Sequence, residues 1–349
     1  MGVRKGRSGF WKCPCTKGMN MATLKDVAKL ANCDVSTVSR ALNNTSYVHP
    51  ETKARILEAV DKLSYSPNVL TQGLKKGKQH TLGIVVPRIS ISVYSELIHG
   101  VQEEARYHGY SAIICVTDND PEVERQCLTK LRNSFTDGII IAATGKNNRL
   151  MRDVQASGIR TIQVIRRTEP TLSSITADYR RCASQAVKYL YDKGCRRIAL
   201  INADDTEIPF QERRDGYLQA IKRYRLEPVI AVSEDFDNRF EDGIRCTEQL
   251  LDEYYDLDGI MVSVDPIGLG VLRALRKRGM TVPEDLRLIS LTGHDIGSML
   301  DTTMSAMEIP AFDIGKKAAS LLIEDLLTDA PYKQQDIVYD VTLTERESS

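Results

Sequence analysis

Thr23-Leu24-Lys25-Asp26-Val27-Ala28-Lys29-Leu30-Ala31-Asn32-Cys33-Asp34-Val35-Ser36-Thr37-Val38-Ser39-Arg40 spells two short helices joined by a tight turn. Thr23 is a candidate cap for the first helix, with Asp26 placed to reach back from three residues later. Leu24, Val27, Ala28 and Ala31 recur at helical spacing and form its buried stripe. Asn32 tolerates the left-handed backbone that a turn of three to four residues requires. Asp34 then caps a second helix whose Val35, Val38 and Leu42 face inward, which leaves Ser36, Thr37, Ser39 and Arg40 outside. Short hydroxyls and a guanidinium on that outer face suit the major groove of DNA. A helical hairpin whose polar face is merely solvated is the blander alternative.

The neighbouring sequence favours the first reading. His49-Pro50-Glu51-Thr52 opens a third helix, with proline in its first turn and Ala54, Leu57, Val60 and Leu63 spaced to pack on the first two. Tyr65 to Leu74 reads as a short, marginal helix, and Lys75-Lys76-Gly77-Lys78 as a linker. Ten residues with a glycine inside are too few to stay helical alone, so order there depends on a partner surface. Charge is segregated although the formal total is zero: residues 1–79 carry 14 Lys+Arg against 5 Asp+Glu, and the remaining 270 carry 33 against 42. A basic front on such a helical unit is the electrostatic footprint of phosphate binding. Residues 1–21, basic and without periodicity, read as a disordered extension or an upstream-start artefact.

From residue 82 the texture changes to short apolar strands alternating with amphipathic helices, twice over. Leu82–Val86, Ala112–Val116, Ile139–Ala143 and Thr161–Ile165 form one set. Ile198–Asn202, Val229–Val232, Gly259–Ser263 and Arg287–Leu291 form the other, and strand starts lie 22 to 31 residues apart within each. That spacing is strand plus crossover helix, so each set predicts a doubly wound parallel sheet. Asp120-Pro121 and Asp265-Pro266 each place a capping carboxylate before a first-turn proline. Two such sheets in tandem create a cleft at the carboxyl ends of their strands, where open α/β sheets hold ligands.

Several function classes lose support. No G-x-G-x-x-G follows the first strand of either set, and there is no P-loop and no G-x-S-x-G elbow. The five histidines are scattered and read as structural or surface residues. The eight cysteines (13, 15, 33, 115, 127, 182, 195 and 246) include no C-x-x-C pair and read as reduced thiols, with no metal site, no cofactor and a cytoplasmic setting. No run of apolar residues is long enough to span a bilayer.

The three-helix head, the Pro-Asn…Leu hinge and the tandem sheets together resemble the LacI/GalR family of bacterial transcription regulators. The resemblance rests on T-L-K-D-V-A-K-L-A…V-S-T-V-S-R-A-L-N and Y-S-P-N (65–68), and on Thr117-Asp118-Asn119-Asp120-Pro121-Glu122, Glu212-Arg213-Arg214-Asp215-Gly216-Tyr217 and Val282-Pro283-Glu284-Asp285. It spans residue 22 to about 345 and implies a homodimeric repressor that binds a pseudo-palindromic operator and answers to a small metabolite. The implied layout is a helix-turn-helix head over 22–66 and a hinge over 67–79. An N-terminal effector subdomain takes 80–174 and 310–334, and a C-terminal one takes 175–309 and 335–345; both are like periplasmic binding proteins.

The resemblance assigns Val35, Ser36 and Arg40 to base reading, and Thr23, Thr37, Ser39 and Asn43 to the DNA backbone. Asp34 stands where serine is usual, and its charge argues against a phosphate contact. Asn68 belongs to the hinge, and Leu74 matches the leucine levered into the minor groove. For the effector it points to Tyr94 and Phe236 as aromatic faces, and to Arg213, Asp265 and Thr292. Thr292-Gly293 replaces the Asp-Asp of many sugar-responsive relatives, while Lys146 and Arg166, with Arg88, add cations near strand ends. The cleft therefore predicts an anionic effector, a phosphorylated sugar or sugar acid, with basic side chains turned to solvent as the alternative. The absence of leucine heptads after the last strand argues against a tetramer. A periplasmic-type solute-binding protein shares the cleft but predicts an export signal and no head. An enzyme fused to such a head would need a catalytic constellation that is not recognisable here.

Overall fold

The computed structural model describes residues 22–43, 46–65, 79–134, 136–204, 206–234, 239–293, 295–328 and 331–349. The chain divides into two compact units, Met1–Gly77 and Lys78–Ser349. In the first, helices α1 (Leu24–Leu30), α2 (Val35–Asn43) and α3 (Pro50–Lys62) enclose a small core. The capping box forms as the sequence requires: the Asp26 amide donates to Thr23 Oγ1, and the Asp26 carboxylate accepts from the Thr23 amide at 2.7 Å. Asn32 takes φ +49° in the turn.

Two inward faces differ from expectation. Val35 is 38% exposed, at the rim of a face centred on buried Val38 and Ala41. In α3 the buried residues are Ile56 and Ala59, with Val60 and Leu63 half-buried beside them, whereas Ala54 and Leu57 are exposed. A helix turns about 100° per residue, so strict three-residue spacing slips about 60° at each step. The pattern 56, 59, 60, 63 stays on one face; the pattern 54, 57, 60, 63 winds off it.

The second unit holds two six-stranded sheets. Its elements in chain order are β1 (Thr81–Val86), α4 (Ser92–Tyr107), β2 (Ser111–Val116), α5 (Pro121–Asn133), β3 (Gly138–Ile141), α6 (Asn148–Ala156), β4 (Arg160–Val164) and β5 (Ser173–Ala177). There follow α7 (Tyr179–Asp192), β6 (Ile198–Ala203), α8 (Ile208–Tyr224), β7 (Val229–Ser233), α9 (Arg239–Glu253), β8 (Gly259–Val262), α10 (Asp265–Lys277) and β9 (Arg287–Ser290). After a 3₁₀ turn (Asp295–Met299) come β10 (Ser305–Glu308), α11 (Ala311–Leu327), β11 (Asp336–Tyr339) and β12 (Thr342–Thr344). The strand orders are β11-β5-β4-β3-β1-β2 and β12-β10-β9-β8-β6-β7.

All eight strands expected from the apolar spacing are present. They pair in parallel, with near-continuous burial in the central ones, as strands covered on both faces should be. Helix α11 packs on the first sheet: Ile314, Ala318 and Leu322 join the core of Leu82, Ile84 and Ile140. Two details depart from the expected layout. Asp336–Tyr339 pairs with β5 in the first sheet, so the chain returns to the second sheet after residue 339 and not at 335. The last strand, β12, pairs antiparallel to β10. D-I-V-Y-D-V-T-L-T carries no glycine or proline to mark the change of sheet, and local pattern gives no sign of it. Among the described residues no helix is long and apolar enough to cross a membrane.

Candidate functional site

On the head, α2 presents Ser36 and Arg40 exposed, with Thr37 and Ser39 half-buried and Val35 at the rim. Thr23 is exposed, and its hydroxyl, 2.6 Å from the Asp26 carboxylate, is held by the capping box. The arrangement puts a guanidinium and a hydroxyl on one face of a short helix, with a second helix packed across it. Asn68 and Leu74 and the hinge that carries them lie outside the described residues, as does the side chain of Asn43.

The larger unit has its cleft where the carboxyl ends of both sheets meet. Tyr94, Ile165 and Arg166 contribute from the first sheet's side; Glu207, Phe210, Arg213 and Thr292 contribute from the second's. Arg166 is 4% exposed and owes its position to an unusual turn. Ile165, at the end of β4, has φ +65°, and the Arg166 amide donates to the Val164 carbonyl at 2.6 Å, closing a three-residue turn. A β-branched residue at positive φ is strained by about 1–3 kcal/mol, and such strain gathers at functional sites. The Tyr179 hydroxyl, donating to the Ile165 carbonyl at 2.9 Å, holds the turn in place.

The Arg166 guanidinium donates from Nη1 to Asn119 Oδ1 at 2.7 Å and from Nη2 to the Glu207 carboxylate across the cleft. Burial works against its charge, but Tyr94 and Glu207 beside it outweigh that and raise its pKa above the ordinary arginine value. Burial pushes the Tyr94 hydroxyl up, and Arg166 pulls it partly back. Arg213 is also buried, 5.1 Å over the Tyr179 ring and 5.7 Å over Phe210, with Nη2 donating to the Leu291 carbonyl at 3.1 Å. The Nε atoms of both arginines are buried and have no hydrogen-bond partner among the described residues. Two buried guanidiniums, Arg213 lying over aromatic faces, are equipped to fork onto oxygen acceptors.

Asp265 does not cap a helix as expected: α10 already includes it, Val264 is the residue before, and no side-chain cap bond forms. Its carboxylate instead accepts from Ser290 Oγ at 2.5 Å, from the Gly293 amide at 3.2 Å and, across the cleft, from Ser92 Oγ at 3.1 Å. Thr292 is buried at the cavity with Oγ1 donating to the Ser263 carbonyl at 2.6 Å. Lys146 is exposed on the loop after β3 and is not among the residues lining this cavity, because the loop turns its side chain to solvent. Arg88 stands beside Asp118 at 3.5 Å. Phe236 lies outside the described residues.

Glu207, Asn119, Ser92 and Tyr179 were not singled out by the sequence. A strand-end carboxylate just before Ile208-Pro209, a helix start, was the available signal for Glu207. The cross-cleft bonds leave a free volume of about 40 Å³. That is room for a few waters, whereas ligand pockets usually offer roughly 300–1,000 Å³.

Residues 23–68 match the family model described as bacterial regulatory proteins, lacI family, and residues 187–349 match a periplasmic binding protein-like domain. Catabolite control protein A of Priestia megaterium is 30% identical over 303 residues, 86% of this chain and 91% of that protein. The ribose operon repressor of Halalkalibacterium halodurans is 28% identical over 306 residues, covering 88% and 91%. A lac repressor dimer solved bound to operator and an anti-inducer has the same fold, with a TM-score of 0.83 at 20% identity, covering 94% of this chain and 98% of that one.

Proposed function

The chain belongs to the LacI family of bacterial regulatory proteins, and from that premise we propose that it is a cytoplasmic homodimeric repressor whose operator grip is set by an anionic sugar derivative in the cleft. It is a sequence-specific DNA-binding transcription regulator of carbohydrate metabolism, with a small effector held between two α/β subdomains. In the head, Val35, Ser36 and Arg40 read base edges. A guanidinium bidentate to guanine O6/N7 discriminates by about 1–3 kcal/mol. Thr23, Thr37, Ser39 and Asn43 fix the register on phosphates, and Asn68 and Leu74 act at the operator centre.

In the cleft, Tyr94 and Phe236 flank the effector, Arg166 and Arg213 take its charged or hydroxyl oxygens, and Asp265 and Thr292 orient it from the second subdomain. The observation that carries the anionic reading is the pair of buried arginines whose Nε atoms have no partner among the described residues. Lys146, solvent-exposed, drops out of the set. The role is binding and not catalysis. A second copy covers the apolar side chains left exposed on edge strands β2 (Ile113, Val116) and β7 (Ile230, Val232), together with Phe240 and Met299.

Titration calorimetry with ribose and ribose 5-phosphate, a neutral and an anionic form of one sugar, tests the effector class. Tighter binding of the phosphorylated form is expected; binding of the neutral sugar alone refutes the anionic reading.

A further inference from the structure

Glu207 has no counterpart among the groups expected to hold an effector, yet its carboxylate sits on the best anion receptor in the cleft. The receptor is rigid. Arg166 is 4% exposed, is launched by the strained turn at Ile165, and is tied through Nη1 to Asn119 Oδ1 and, at 3.5 Å, to the Ala143 carbonyl. Asn119 in turn donates from Nδ2 to Glu207 Oε1 at 2.8 Å, so its amide is already oriented to present N–H to an anion. A guanidinium buried this deeply requires a counter-charge.

The partner is the opposite in character. Glu207 immediately precedes α8, beside exposed Asp204 and Thr206, and its carboxylate makes no hydrogen bond to its own subdomain among the described residues. Its side chain is 15% exposed, against 5% for that of Arg166, so the anion is the more accessible member of the pair.

We propose that Glu207 is a built-in stand-in for the effector's anionic group: a phosphate or carboxylate entering the cleft displaces it from Arg166 and Asn119. This rests on the anionic-effector reading above and adds how that effector is registered. Arg166 and Asn119 belong to the first subdomain, and Glu207 to the second. The exchange therefore replaces a direct link between subdomains by a link through the ligand, and vacates the volume the Glu207 side chain fills. A neutral sugar cannot make the exchange, because it leaves Arg166 without a counter-charge.

The test is Glu207→Gln in the full-length protein, with inorganic phosphate, ribose 5-phosphate and ribose as probes in calorimetry. An occupied receptor weakens apparent affinity by the fraction that is free. If Glu207 holds Arg166 in about nine molecules of ten, Glu207→Gln binds phosphate and ribose 5-phosphate about tenfold more tightly, while ribose binding is unchanged. Unchanged or weaker anion binding in Glu207→Gln overturns the proposal, and so does an equal gain for ribose, which marks a simple clamp. A wild-type preference for ribose over its phosphate refutes the effector reading without touching this comparison of variants. Should Glu207→Gln fold poorly, phosphate must raise its melting temperature more than that of wild type, at matched ionic strength in chloride; failure of that rescue overturns the proposal.

Discussion

Replacing Ile56 by alanine tests how the head is held together. Its core, among the described residues, is seven buried side chains, of which four are alanines and Ile56 is the largest. Ile56 is wholly buried, so Ile56→Ala removes about 2–5 kcal/mol. A domain this small holds about 3–5 kcal/mol in all. With about 4 kcal/mol of stability and a loss of about 3 kcal/mol, the unfolded fraction of the head rises from about one molecule in a thousand to about one in six. Leu57, the next residue, is 48% exposed, and Leu57→Ala should change stability by about 0.5 kcal/mol or less. Hydrogen exchange of amides 24–62 in the full-length protein measures the opening, with the unit from residue 78 onward as internal reference. Exchange faster in Ile56→Ala by about two orders of magnitude, and little altered in Leu57→Ala, is expected. The reverse order would show that α3 packs through the face carrying Ala54 and Leu57, and the account of the head would fail.

Asp26→Asn should flatten the acid dependence of head stability. Hydrogen bonds from Thr23, side chain first and amide second, hold the Asp26 carboxyl below its ordinary range. A depressed carboxyl stabilises the fold above its unfolded pKa and loses that contribution as pH falls through its folded pKa. Melting of the head between pH 7 and pH 2 should therefore be steeper in wild type than in Asp26→Asn. Gly216→Ala places a Cβ 2.0 Å from the Arg180 carbonyl oxygen, so α7 and α8 must part. A loss of about 1–3 kcal/mol, seen in calorimetry as a melting temperature lower by several degrees, is expected for the larger unit.

What the sequence makes legible here is what is local. The Thr23–Asp26 box, the Asn32 turn and eight parallel strands each depend on residues within a few positions of one another. The same locality misleads at Asp265-Pro266, which copies the Asp120-Pro121 cap in sequence. In space the Asp265 carboxylate meets Ser92, 173 positions away, and is drawn from the helix end. Glu207 on Arg166 is hidden for the same reason: it is a contact between subdomains, and the helix start after Glu207 marks its position without indicating its partner. Lys146 stands near a strand end in sequence yet is exposed and outside the cavity lining, since proximity to a strand end does not fix the direction of a long side chain. The change of sheet inside D-I-V-Y-D-V-T-L-T is likewise decided by which edge lies near, β5 or β10.

The central claim is that the exposed face from Ser36 to Arg40 reads base edges. Selection of duplexes from a random pool by the purified protein at moderate, stated salt, for wild type and for Arg40→Ala, tests it most directly. Wild type should enrich a pseudo-palindrome, and Arg40→Ala should relax one position in each half-site by about 1–3 kcal/mol, roughly 5- to 150-fold, while the others persist. No enrichment by wild type, with or without ribose 5-phosphate, or an unchanged motif in Arg40→Ala, would contradict it.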